Sequence, residues 1–125
     1  MFIDPNSDVP LYVQLRTQIM EAIVRGDLSL GDTLPSVRAL AGDLSVNMHT
    51  VNKSYHELES KGIIEIVPKK GAMITVNKDK QITNNRLSAL STEFKPVVVE
   101  AMANGMNEEQ LHELITTVIK NIKEA

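Results

Sequence analysis

The chain has 125 residues, with 13 Lys plus Arg against 16 Asp plus Glu and a formal net charge of −3. That length holds one compact unit or a small domain with an appendage, which excludes a large multidomain enzyme. Hydrophobic residues at 42% and charged residues at 23% fit a folded soluble protein better than a disordered one. The only aromatic rings are Phe2, Phe94, Tyr12 and Tyr55, too few to build a stacking platform for single-stranded bases. With no cysteine there are no disulfides, thiolate nucleophiles or Cys-type zinc sites. The longest aliphatic run is Val97-Val98-Val99, far short of the ~20 residues a membrane helix needs. Met1-Phe2-Ile3-Asp4-Pro5 lacks the basic start and apolar stretch of an export signal. A soluble, cytoplasmic chain without a cofactor is the expectation, and its acidic balance argues against a globally basic nucleic-acid binder.

In chain order, Pro10 suits a first helical turn, and Leu11/Tyr12, Leu15, Ile19 and Ala22/Ile23 follow at three-to-four spacing until Gly26. This pattern predicts an amphipathic helix. Ser36 can cap a short second helix whose apolar face is Val37, Leu40, Ala41 and Leu44. Asn47 can cap a third, with Val51, Ser54/Tyr55 and Leu58 inward and an end near Gly62. Only Ser45-Val46 separates the two, which makes a helix-turn-helix. The β-branched Ile63-Ile64-Glu65-Ile66-Val67, the turn chemistry of Pro68-Lys69-Lys70-Gly71 and the run Met73-Ile74-Thr75-Val76 predict a small hairpin. Three helices followed by a hairpin form a winged helix-turn-helix, so the fold class is mostly α with a small β hairpin.

Composition shifts at Asn77-Lys78-Asp79-Lys80, and the predicted domains are 1–76 and 77–125. Two helical patterns occupy the second, one from Ile82 to Gly105 and one from Leu111 to Ile122. Asn107 and Gln110 approach a capping box between them, and Pro96 is expected to kink or split the first helix near Phe94. Two such helices cannot bury all their apolar positions alone. Leu87, Leu90, Phe94, Val97, Val98, Met102, Leu111, Ile115 and Ile119 are therefore expected to meet a partner surface, most simply a second copy in an isologous dimer.

With Val51, Tyr55 and Leu58 inward, the third helix turns His49, Asn52, Lys53 and His56 outward, with Thr50 near its start. These residue types reach base edges or phosphates in a major groove. Arg38 in the first turn of the second helix, Ser36 at its start and Lys69-Lys70 on the hairpin turn complete a basic crescent. Taken singly, each has a plainer role: surface ion pair, helix cap or solubilised turn.

Three stretches carry a resemblance. Pro10-Leu11-Tyr12-Val13-Gln14-Leu15, the run Gly26 to Ala41 containing Leu34-Pro35-Ser36-Val37-Arg38, and the run Thr50 to Gly62 are similar, in that order, to GntR-family bacterial transcription regulators. The likeness covers about residues 9 to 76. It implies a winged-helix DNA-binding domain used as a dimer on a palindromic operator. The 49 residues from Asn77 to Ala125 are too few for the family's large effector domains, so the chain resembles the short YtrA-type members, whose two terminal helices dimerise. By that resemblance Arg38 reaches a base edge and Ser36 a phosphate. Asn47, Met48, His49, Thr50 and Asn52 occupy recognition-helix positions, and Lys69, Lys70 and Gly71 form the wing. Met48 and Asn52 stand where many members carry arginine. Lys69 replaces the first glycine of the usual wing turn, implying a less flexible, more basic wing that keeps its minor-groove contact through lysines.

Enzyme readings find no support in the residues. His49, His56 and His112 lack metal-ligand spacing, no Ser-His-Asp set or phosphate loop stands out, and Glu108-Glu109 simply complement a helix dipole. Met102 and Met106 near Phe94 are expected to line a small apolar pocket in the dimer if a small-molecule effector binds the tail. The leading expectation is a sequence-specific transcription regulator acting as a repressor. The alternatives are a winged-helix protein-interaction module and a small ligand-sensing adaptor.

Overall fold

A computed structural model describes residues 3–125; Met1 and Phe2, which enter the reading of the amino terminus, lie outside the described residues. The elements are α1 (Leu11–Arg25), β1 (Thr33–Leu34), α2 (Val37–Leu44), α3 (Met48–Ser60), β2 (Ile64–Val67), β3 (Gly71–Ile74), α4 (Asn84–Ala103) and α5 (Glu108–Glu124). The chain forms two compact units that meet between Asn77 and Lys78.

In the first unit, the spacing of apolar residues translates directly into burial. Leu15, Ile19 and Ile23 of α1 are buried against Leu40 and Ala41 of α2 and Val51, Tyr55 and Leu58 of α3. Pro10 sits at the N-cap rather than inside the first turn. Ser36 Oγ accepts from the Ala39 amide at the start of α2, and Asn47 Oδ1 accepts from the His49 amide at the start of α3. Each cap satisfies an amide that the helix cannot pair internally. Ser45, in the left-handed region at φ 56°, closes α2 and leaves only Val46 before the next cap.

The helices are tied by polar contacts as well as by packing. Ser54 is fully buried, and its hydroxyl donates to the Tyr12 carbonyl at 2.7 Å, so α3 approaches α1 closely at a small side chain. Arg16 pairs with Glu57 at 3.0 Å across the same two helices.

The sheet has three strands, not the two of the expected hairpin. Its order is β1-β3-β2, all antiparallel, with Leu34 opposite Ala72 and Val67 opposite Gly71. Thr33-Leu34 is too short to show an alternating pattern, and it is a strand only because β3 lies beside it. Two further bonds, Gly31 N–H to Ile74 O and Ile74 N–H to Asp32 O, extend this pairing.

In the second unit, Thr83 caps α4 and Asn107 with Gln110 forms the full capping box of α5. Pro96 does not split α4, which runs unbroken from Asn84 to Ala103. A proline removes only its own donor, and at this exposed position the carbonyl it leaves free can bond water. Leu111 is a correction: it is buried within the chain, while Val98 and Ile115 are half-buried. The outward apolar surface instead comprises Leu87, Leu90, Phe94, Val97, Met102 and Ile119, together with Val99, Leu114 and Val118.

Tyr55 is the largest fully buried side chain, and its hydroxyl donates to the Pro35 carbonyl at 2.7 Å. Burial pushes this hydroxyl up from 10 to about 12, because the phenolate would be charged in an apolar surround. The fold therefore holds the proton more tightly than the unfolded chain does. The associated stability is fully present below pH 10 and is lost as pH rises from about 10 to 12. In urea unfolding, the stability of wild type measured against that of Tyr55→Phe should fall as pH rises from about 10 to 12 and stay constant between about pH 7 and 9.

Candidate nucleic-acid interface

The start of α2, the recognition helix α3 and the hairpin turn converge on one short segment, Leu34-Pro35. From it the chain enters α2 through Ser36. From α3, the Tyr55 hydroxyl bonds the Pro35 carbonyl. From β3, Gly71 lies directly on the segment: a Cβ built there would fall 2.2 Å from Leu34 O and 2.8 Å from Pro35 C. Gly71 also has φ +112°, a backbone that other residues rarely adopt. Lys69 and Lys70 immediately precede Gly71, so the wing tip is anchored beside the α2 start.

The turn itself has a defined shape. The Lys70 amide bonds the Val67 carbonyl at 3.0 Å, Pro68 is the first central residue, and Lys69 has φ 67°. Proline first and a positive φ second describe a type II turn. Glycine takes the second position freely, whereas lysine there costs roughly 1 kcal/mol. The wing keeps the backbone a glycine would adopt while presenting a cation.

The structure places the sequence-derived residues as follows. Arg38, Asn47, Met48, His49, Asn52, Lys53, Lys69 and Lys70 are exposed, while Ser36 and Thr50 are half-buried. Gly71 is buried against Leu34-Pro35, where it allows close packing. Lys53 is exposed but not loose: its ammonium lies 4.0 Å from the centroid of the Tyr12 ring. Such a cation–π contact is worth about 0.5 to 1 kcal/mol at an exposed site. Ser36 and Asn47 spend their side-chain oxygens on helix caps, and the Ser36 hydroxyl hydrogen stays free to donate.

Charge is arranged locally. Residues 1 to 76 contain 7 Lys plus Arg and 9 Asp plus Glu, so this unit is not basic overall. Yet its ion pairs, among the described residues, use Arg16 and Arg25. Arg38, Lys69 and Lys70 remain outside these pairs, on the elements that converge at Leu34-Pro35. Cations left unneutralised at one end of a fold attract a polyanion despite an acidic total.

Sequence reasoning passed over Tyr12 and Tyr55 because both sit on ordinary apolar stripes. Only the partners of their polar or π surfaces, Lys53 and the Pro35 carbonyl, distinguish them from core filling. In the second unit, an open depression on α4 is lined by Leu87, Leu90, Ser91, Glu93, Phe94 and Val97. Met102 and Met106, expected near Phe94 in a pocket of the dimer, are not part of this depression of the single chain.

Three helices with a tight turn between the second and third, followed by a small sheet whose last hairpin carries an exposed basic tip, define a winged helix-turn-helix protein. Residues 11–74 match the family described as bacterial regulatory proteins, gntR family. The HTH-type transcriptional repressor YtrA of Bacillus subtilis (strain 168) is 36% identical over 121 residues, covering 97% of this chain and 93% of that protein. A transcriptional antiterminator from Listeria monocytogenes EGD-e has a solved structure with a TM-score of 0.87 at 32% identity, covering 98% of this chain and 92% of that one. The DNA-binding domain of AraR, solved in complex with operator ORX1, aligns with a TM-score of 0.52 at 26% identity over 60% of this chain and 93% of that one. The chain belongs to the GntR family, in its short YtrA-type form, and is a winged-helix transcription regulator. No helix of the described residues is long and apolar enough to cross a membrane.

Gly71→Ala should destabilise the first unit by about 2 kcal/mol or more, because a methyl group would meet backbone rather than a flexible side chain. Thermal unfolding of the variant beside wild type checks this, and an unchanged midpoint would show that the Leu34-Pro35 segment yields freely.

Proposed function

We propose that the chain is a non-enzymatic cytoplasmic repressor that binds a palindromic operator as a homodimer, one recognition helix entering the major groove of each half-site. The observation that carries this reading is the gathering of Arg38, Lys69 and Lys70, all outside the ion pairs of the described residues, on elements that meet at one segment beside the exposed face of α3. Arg38 is the base reader, since a guanidinium can donate two bonds to a guanine edge. His49, Thr50, Asn52 and Lys53 line the groove-facing side of α3. Met48 supplies apolar contact where a cation would read guanine. Ser36 donates to a phosphate, and Lys69 and Lys70 follow the backbone or minor groove beyond the half-site.

Dimerisation is supported by the outward stripe Leu87, Leu90, Phe94 and Val97, which follows a three-four-three spacing along α4 with each residue about half exposed. That spacing is the seam of a helix that packs lengthwise against another. A second copy turned by a two-fold axis would cover it and set the spacing of the two half-sites.

Duplexes enriched by the wild-type chain from a random pool, titrated at several salt concentrations beside scrambled duplexes, test the DNA reading. Arg38→Ala should cost roughly 1 to 3 kcal/mol on the enriched duplex and little on the scrambled one. Lys69→Ala should weaken both about equally and flatten the salt dependence, as expected for loss of a phosphate contact. Wild-type affinity in Arg38→Ala would remove that residue from base reading. Leu90→Glu with Phe94→Glu should convert the dimer to monomer in sedimentation equilibrium while leaving the first unit folded. A dimer that survives both charges would place the interface elsewhere.

A further inference from the structure

The Pro35 carbonyl accepts from the hydroxyl of the buried Tyr55 at 2.7 Å. It belongs to the peptide unit whose nitrogen is that of Ser36, so whatever holds it also holds the cap of α2. Ser36 Oγ in turn takes the Ala39 amide at 3.1 Å, and Arg38 lies in the turn so fixed. On its other side the same segment is pinned by β3, through the pairing of Leu34 with Ala72 and the close approach of Gly71. The core has no need of the hydroxyl. A phenylalanine would fill the same space without burying a polar group. The hydroxyl's distinctive effect is geometric: it ties the entry of α2 to the middle of α3.

We infer that Tyr55 is a positioning residue for DNA recognition, whose hydroxyl on the Pro35 carbonyl fixes Arg38 relative to the recognition helix so that both enter the groove in one register. The inference rests on the reading of Arg38 as a base reader. Without the bond the α2 start can shift or rotate against α3, and an arginine fork displaced by even an ångström loses a two-bond contact while still reaching phosphates. Selectivity should therefore suffer more than general affinity.

The test is a double-mutant cycle in the full chain with Tyr55→Phe and Arg38→Ala, read as affinity for a duplex enriched by wild type and for its scrambled counterpart. Tyr55→Phe should lower affinity for the enriched duplex about fivefold or more, leave the scrambled duplex unchanged, and cost almost nothing further in the Arg38→Ala background. Equal losses on both duplexes, or losses that simply multiply with those of Arg38→Ala, would reduce Tyr55 to a structural role and overturn the inference. If Arg38→Ala alone leaves the enriched duplex bound as before, the underlying reading fails first and takes the inference with it.

Should Tyr55→Phe not fold, the chain labelled with 3-fluorotyrosine answers the same question with the hydroxyl in place. It contains two tyrosines, and Tyr12→Phe assigns their fluorine resonances. The Tyr55 resonance should move when the enriched duplex is added and stay still with the scrambled duplex or in Arg38→Ala. A Tyr55 resonance indifferent to the enriched duplex, or one that moves equally in Arg38→Ala, would overturn the inference.

Discussion

The contact around which the entry of α2 is arranged is the grip of Tyr55 on the Pro35 carbonyl. The ring fills the centre of the three-helix core while the hydroxyl reaches the one irregular segment connecting sheet to helix pair. A buried hydroxyl without a partner would cost a few kcal/mol, so the side chain is committed to that carbonyl and the carbonyl to that place. Gly71 closes the segment from the sheet side, where any Cβ would strike backbone. Caps then extend the order outward: Ser36 starts α2 from this point, and Asn47 starts α3 after the left-handed Ser45.

This arrangement explains how an acidic protein presents a basic face. The acids of the first unit are not fewer than its cations, but they are distributed differently. Glu57 is taken up by Arg16, Glu21 and Asp27 by Arg25, Asp32 by the Ser29 amide, and Glu59 by the Ile66 amide. Arg38 and the wing lysines lie outside those ion pairs, on elements joined at Leu34-Pro35. Because screening limits each charge to about 10 Å at ordinary salt, the local arrangement governs contact with a polyanion and the total does not. Lys53 is a partial exception, being steadied by the Tyr12 ring before it meets any ligand.

The second unit follows a different logic. Its two helices are well capped, Leu111 is buried and Val98 and Ile115 half-buried, but a two-helix pair has too little interior for the apolar residues it carries. The surplus lies along α4 in a stripe with the spacing of a helix seam. Pro96 does not interrupt the stripe, since α4 continues through it and Phe94 and Val97 stay on one face. What a small protein cannot bury alone is the ordinary driving force for self-association.

Helices α1, α2 and α3 were legible in the sequence because each carries a three-to-four apolar rhythm and a recognisable stop or cap. Those are local signals, written within about fifteen residues. The outward residues of α3 followed from the same rhythm, and the exposed basic turn followed from Pro68 to Gly71. What the sequence could not show was whatever depends on a distant partner. Thr33-Leu34 is a strand only beside β3, and Gly71 is a packing residue only because Leu34-Pro35 crosses it. Leu111 is buried because its own chain covers it, and Tyr55 is more than core filling only because a carbonyl twenty positions earlier lies 2.7 Å from its hydroxyl. Local rhythm and capping chemistry determined which segments are helices and which side chains point outward. Tertiary packing alone decided which of those side chains share one rigid frame, because that depends on single hydrogen bonds and close approaches between residues far apart in the chain.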